Sequence, residues 1–272
     1  MTANLLGEYL RARRDLVRPE DVGLPDTGNR RVPGLRREEV AMLAGISPDY
    51  YLRLEQGRDR APSAQVLDAL ARVLLLDELA RAYLAGLAGP RSRPAPRRRQ
   101  ETVPVGILQL LETIGVPALV EDRYFYVLAT NAHALAVSPR LVPGSNRMKA
   151  IFLDEAERSM HPDLDRSAAG MVASFRASVG TAIDDPRCVQ LVGELSLGSE
   201  QFRQLWARHD VKVPEGANTR ILHPEVGELR LRKEKLLIPA TDGQLFVIYH
   251  AEPGSQSAES LALLGSLAAS LR

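Results

Sequence analysis

The sequence predicts a multidomain chain: an all-α helix-turn-helix domain first, then an α+β domain built from an antiparallel sheet with packed helices. Three observations predict it. Residues 1–88 show helical spacing of apolar residues broken by capping signals. Residues 89–102 hold three prolines, one glycine and five arginines and no large apolar residue, so they cannot join a core and read as a linker. Residues 103–272 mix strand-like runs at both ends with helical stretches between them.

In the first segment, Leu5, Leu6, Tyr9, Leu10, Arg13 and Leu16 give a helix with one apolar face. Pro19, Gly23, Pro25, Gly28, Pro33 and Gly34 break it and form a loop that carries Arg30 and Arg31. Arg37–Ala44 is a short helix with Val40, Leu43 and Ala44 inward. Gly45 ends it, because glycine takes positive φ freely. Ser47 caps the next helix, and Pro48 takes its first position, where a missing N–H costs nothing. That helix buries Tyr51 and Leu54 and stops near Gly57. Ser63 caps a fourth helix through Val66, Leu67, Leu70, Val73 and Leu74, and a fifth runs from about Asp77 to Leu87.

After the linker, Val105–Thr113 is helical, and Pro117–Val120 and Tyr124–Thr130 read as strands joined by Glu121, Asp122 and Arg123. Helices are predicted over 131–137, 147–158, 163–182, 186–195 and 199–209. Strand-like runs follow at Thr219–His223, Glu228–Arg232, Leu236–Ile238 and Leu245–Ala251, with a turn at Asp242-Gly243. The last helix, Ala258–Leu271, carries Leu261, Leu264, Leu267 and Leu271 on one side.

Composition narrows the function classes. No apolar run reaches the roughly 18 residues of a membrane span, and the first residues lack the cationic lead of a secretory signal. These features predict a cytoplasmic protein, associated with the nucleoid if it binds DNA. One cysteine, Cys188, excludes an intrachain disulfide framework and a multi-cysteine zinc site, and the five histidines show no metal-ligand spacing. The net charge of +1 is unevenly distributed. Residues 1–88 balance 13 arginines against 13 carboxylates, the linker carries +4 and residues 103–272 carry −3. Of the 35 cations, 31 are arginine, and the four lysines are Lys149, Lys212, Lys233 and Lys235.

Arg37 to Gly57 carries the most information. Ala41 suits a close helix crossing, Gly45 the tight turn and Ile46 the space between two helices. This spacing projects the second helix from the domain, as a major-groove reader requires. A helical hairpin without a DNA role is the rival, but the capping residues and five-helix context favour DNA.

With these residues placed, residues 1–88 resemble the Cro/repressor (XRE-type) helix-turn-helix family. The longer run Leu35–Arg58, with the preceding loop Pro19–Pro25, resembles the MmyB-like regulators. The likeness continues through Val192-Gly-Glu-Leu-Ser, Leu205–Val211, His223–Leu229 and Ala251–Ser255. It implies a PAS-like C-terminal domain, for which fatty-acid-type ligands are known in some relatives. It also puts the base-reading positions on Pro48, Asp49, Tyr50 and Arg53. Arg53 suits guanine O6 and N7, and Asp49 suits cytosine N4. Pro48 cannot make the amide-to-adenine bond of simpler repressors. Asp49 equally suits the helix dipole, and an intrahelical pair with Asp49 is the alternative for Arg53. Arg30, Arg31, Arg36, Arg37, Ser47 and Arg58 are phosphate-contact candidates, with solvated surface charge as the rival for the arginines. One such domain has a small footprint, so a homodimer on an inverted-repeat operator is expected.

The C-terminal domain is expected to hold a small apolar ligand of the fatty-acid type, with no other cofactor. Tyr124, Phe125, Tyr126, Leu128, Trp206 and His209 are the pocket candidates. Strand alternation puts Tyr124, Tyr126, Leu128 and Thr130 on one side and Phe125, Val127 and Ala129 on the other. Two other readings stay open: a ligand-free domain for dimerisation or a protein partner, and an enzyme domain tethered to DNA. Against the enzyme, the sequence has no Gly-rich phosphate loop, nucleophile elbow or paired metal motif.

Overall fold

The computed structural model describes residues 4–25, 32–59, 61–89, 102–180, 182–212 and 216–270. The chain divides into two compact units. One comprises Met1–Pro94, Val172–Asp185 and Gln204–Val213; the other comprises Ala95–Met171, Pro186–Arg203 and Pro214–Arg272.

The first unit contains α1 (Leu5–Leu16), α2 (Arg37–Ala44), α3 (Pro48–Glu55), α4 (Ala64–Val73) and α5 (Glu78–Ala88). Helix starts are set locally. The Asn4 side chain caps α1 at Gly7 N, Ser47 caps α3 at Tyr50 N, Ser63 caps α4 at Val66 N and Asp77 caps α5 at Ala80 N. A single 3-10 turn, Pro19–Val22, lies within the loop predicted after α1. Helices α2 and α3 have eight residues each. Helices that short are marginal alone in water, so packing must hold them. Leu10, Leu35, Val40, Ala41, Tyr51, Leu54 and Leu70 are all fully buried in one apolar cluster. Gly7 lets α1 pass the end of α3 closely: a Cβ there would lie 2.1 Å from the Glu55 carbonyl oxygen. The later segments of this unit add to the same core. Val211 packs on it, His209 meets the Tyr9 ring edge-on at 6.2 Å, and Arg13 pairs with Asp210 at 2.6 Å.

The second unit follows as α6 (Val105–Thr113), β1 (Ala118–Glu121), β2 (Val127–Thr130), α7 (Ala132–Val137), α8 (Arg147–Leu153) and α9 (Glu155–Ser159). Next come α10 (Leu164–Val179), α11 (Pro186–Gly198) and α12 (Glu200–Ala207), of which the latter part of α10 and the end of α12 belong to the first unit. The strands β3 (Ala217–His223), β4 (Gly227–Leu237) and β5 (Leu245–His250) and the helix α13 (Gln256–Ser270) complete the described chain. The five strands form one antiparallel sheet in the order β2-β1-β5-β4-β3. The predicted α+β architecture is therefore present.

Register assigns the two sheet faces. Cross-strand partners share a face, so Leu119, Glu121, Lys233, Lys235, Val247 and Tyr249 point one way. Ala118, Val120 and Phe246 point the other way and pack with Leu111 of α6. The first face joins Leu229 and Leu231 of β4 to Ala134 and Val137 of α7 and Leu264 of α13. Cys188 on α11 is fully buried.

Several local expectations change. Leu43, read as inward on α2, is exposed, and Ala41 is buried with Val40 instead. The helix predicted over 147–158 is two helices, α8 and α9. Asp154 is extended (φ −102°, ψ 112°), and its carboxylate accepts hydrogen bonds from Ala156 and Glu157 N. The runs Glu228–Arg232 and Leu236–Ile238 are one strand through Leu237, because Lys233 and Lys235 point inward rather than mark a loop. The strand predicted from Tyr124 begins at Val127. Phe125 has φ +65°, and Asp122 accepts hydrogen bonds from Tyr124 and Tyr126 N, so a turn replaces the strand start. The alternation read across 124–126 therefore does not apply there.

Candidate DNA-reading and ligand-binding sites

The helix-turn-helix geometry follows from residues 40–54. Gly45 has φ +67°, and Ile46 N donates to the Ala41 carbonyl at 3.0 Å, closing the turn. Ala41, Val40, Tyr51 and Leu54 are fully buried beneath it. The exposed side of α3 then carries Pro48, Asp49 and Arg53, with Tyr50 half-buried between them. Ser47 is exposed, and its hydroxyl accepts from Tyr50 N at 3.2 Å. Arg53 lies over the Tyr50 ring, 5.5 Å from its centroid, and makes no ion pair with Asp49. Cation–π stacking of this kind orients the guanidinium without neutralising it.

Arg36 is exposed, and its backbone N–H donates to the Glu39 carboxylate at 2.7 Å, which fixes the start of α2. Arg58 is exposed just past α3. Arg37 is half-exposed, and its Nε donates to Glu55 at 2.6 Å, which leaves the terminal nitrogens of its fork for other contacts. Arg30 and Arg31 lie outside the described residues.

Glu55 is the residue that the motif did not single out. Its carboxylate is fully buried and receives Arg14 Nε at 2.7 Å as well as Arg37. Arg14, itself buried, also donates to the Leu35 carbonyl at 2.8 Å. Burial pulls the Glu55 carboxyl up, but the Arg14 and Arg37 bonds more than reverse this and hold it below the usual carboxylate range. The pair therefore joins α1, α2 and α3 beneath the reading surface.

In the sheet unit, a second buried carboxylate organises the covered face. Glu121 stands beside an irregularity in the β1–β2 ladder and is fully buried. Arg147, the first residue of α8, reaches it at 2.5 Å, and Lys235 Nζ reaches its other oxygen at 2.8 Å. Arg147 also donates to the Tyr249 hydroxyl at 2.9 Å. The turn before β2 clamps this arrangement: Arg147 N donates to the Phe125 carbonyl, and Asn146 Nδ2 donates to the Tyr124 carbonyl. Lys235 Nζ lies 4.3 Å from the Phe125 ring centroid. Burial disfavours the Glu121 charge, but Arg147 and Lys235 outweigh it, so the carboxyl stays well below its ordinary value. Lys233, one step along the same face, is partly buried and has no hydrogen-bond or ion-pair partner among the described residues. Burial, with Arg147 and Lys235 nearby, pushes its ammonium down to about 7.

The six sequence-derived pocket candidates are not one group. Tyr124 and Phe125 are buried in the turn, and Tyr126 is half-buried and bridged to Asn146. Leu128 packs with the α6 side of the sheet. Trp206 and His209 belong to the first unit. There the Arg176 guanidinium lies 3.7 Å from the Trp206 ring centroid, and Phe175 lies 5.6 Å from the same ring. His209 is past the end of α12 at φ +55°, and burial together with Arg176 and Arg13 lowers it to about 3, so it is neutral at physiological pH. Sequence reasoning missed Glu121, Arg147, Lys233, Lys235 and Tyr249. One signal for them exists: two of only four lysines sit two apart on a strand.

The comparisons with known proteins agree with this division of labour. The family model described as the MmyB-like transcription regulator ligand binding domain matches residues 103–264. A helix-turn-helix domain model matches residues 3–84. No curated protein matches the chain.

Proposed function

We propose, proceeding from the fact that this chain belongs to the family of MmyB-like transcription regulators, that it reads an inverted-repeat operator as a homodimer and answers to a small apolar ligand of the fatty-acid type. The family fixes the coarse statement: this is a DNA-binding transcriptional regulator with a ligand-binding domain. Transcription regulation is a binding function rather than a catalytic one. We place its action in the cytoplasm, where the operator is, and no helix among the described residues is long and apolar enough to cross a membrane. Our division of the work is a reader in 1–88, a linker in 89–102 and a sensor in 103–272.

One observation carries the DNA reading: Arg53 is exposed on α3, held by Tyr50 and free of Asp49. In our reading Arg53 takes a guanine edge, Asp49 and Tyr50 contact neighbouring bases, and Pro48 packs apolar surface against them. Ser47, Arg36, Arg37 and Arg58 then flank the groove as phosphate contacts, with the loop residues Arg30 and Arg31 reaching further along the backbone. The small footprint of one domain supports two copies per operator. The ligand reading is supported by an apolar sheet face that ends in buried charge, since such sites combine apolar walls with a few placed polar groups.

Arg53→Ala tests the reading. Operator selection from a random DNA library, followed by binding titrations, is expected to show a loss of about 1–3 kcal/mol, or roughly 5- to 150-fold. The preference should relax at one base pair per half-site. Unchanged affinity and unchanged preference would remove Arg53 from the base-reading set.

A further inference from the structure

We propose that Lys233, with Arg147 and Lys235, seats an anionic head group of the ligand on the covered face of the sheet. The inference rests on the ligand-binding reading above and deepens it. The charges carry it. Among the described residues Glu121 on β1 is the carboxylate that contacts the cluster, with Arg147 on α8 and Lys235 on β4 engaging both of its oxygens. Buried Glu157 on α9, bonded to Ser138, adds a second negative charge that acts on Arg147 and Tyr249. Tyr249 on β5 faces the same group and is bonded to Arg147. Ala217, the β3 residue opposite Lys233, is neutral. Lys233 thus meets two cations and no carboxylate of its own.

Buried charges are normally paired, and here Arg147, Lys233 and Lys235 face two carboxylates, Glu121 and Glu157, so the site lacks one negative group. Two physical routes resolve the imbalance: Lys233 sheds its proton, or an anion joins it. The first describes the free protein, where burial and the neighbouring cations bring the Lys233 ammonium down to about 7. The second describes the complex. An anion beside Lys233 restores the charged form, so ligand and proton bind together. Apolar residues Leu229, Leu231 and Val247 continue along the same face, packed against α7 and α13. A carboxylate and a phosphate head share this chemistry.

Calorimetry of the full-length protein separates the possibilities. Decanoate, decyl phosphate and decan-1-ol are titrated at pH 7 in two buffers of different ionisation enthalpy. At least one anionic probe is expected to bind 10-fold or more tightly than the alcohol, with uptake of about half a proton, since Lys233 is half-charged there. The ranking of the two anionic probes identifies the head group. Lys233→Met is expected to remove that preference and the proton uptake. Lys233→Arg, which never loses its proton, is expected to keep the preference without the uptake. Acid and alcohol binding equally, with no proton uptake, would overturn the anion seat and leave the ligand reading standing. No heat from any of the three probes would overturn both.

Discussion

Glu55→Ala is expected to unfold the helix-turn-helix unit near physiological temperature while the sheet unit persists. The mutation removes the buried counter-ion of Arg14, leaving it only the half-exposed Asp15 at 2.8 Å, and removes the group that joins α1, α2 and α3. Breaking a buried pair from one side costs about 3–5 kcal/mol, set against a typical domain stability of roughly 5–15 kcal/mol. Arg37→Ala is the control. It vacates a half-exposed position and leaves the Arg14 bond in place, so a loss of about 1 kcal/mol or less is expected. Circular dichroism melting checks both, and operator binding should fail in the first variant because the reading helix loses its support. A Glu55→Ala protein that melts like the parent would show that the buried pair is dispensable.

Glu121→Gln is expected to have the second large effect, in the sheet unit. The amide retains the shape but leaves Arg147 and Lys235 without the carboxylate that both contact. The expected loss is again about 3–5 kcal/mol. The pH dependence has a definite sign. The folded Glu121 carboxyl is depressed, so its contribution is present above the unfolded value of about 4.3 and is lost as pH falls through the folded value of about 2. Lys233 acts oppositely to a stabilising cation. Its folded value of about 7 lies below the 10.5 of an ordinary lysine, so the unfolded chain binds more protons between them and stability rises with pH across that window. Denaturant midpoints from pH 3 to 10 test both slopes. In Lys233→Met the rise above pH 7 should shrink, with the remainder coming from Lys235, which burial also holds low.

Much of the fold was legible because it is written locally. Asn4 aside, the caps of the first unit are single residues next to an apolar periodicity, and Ser47, Pro48 and Gly45 fix the α2–α3 turn without distant help. The fold class of the second unit followed from strand and helix periods in the same way. What the sequence hid is non-local. Glu121 meets Arg147 across 26 positions and Lys235 across 114. No spacing rule connects them, and two inward lysines look like a break in a strand. The Phe125 turn was hidden for a different reason: aromatic residues in alternation imitate a strand, while a positive φ leaves no mark in a non-glycine residue. Glu55 is an intermediate case. The helical spacing that turns Tyr51 and Leu54 inward also turns Glu55 inward, so its burial was readable, but its two arginine partners were not.

Cys188 has a practical consequence. It is the chain's only thiol, and it is buried in the sheet unit. A buried thiol reacts with an alkylating reagent only when its surroundings open. Each modified molecule therefore records one opening of that unit. Mass spectrometry after timed exposure counts those events with no engineered probe, and a ligand that tightens the unit will slow the clock.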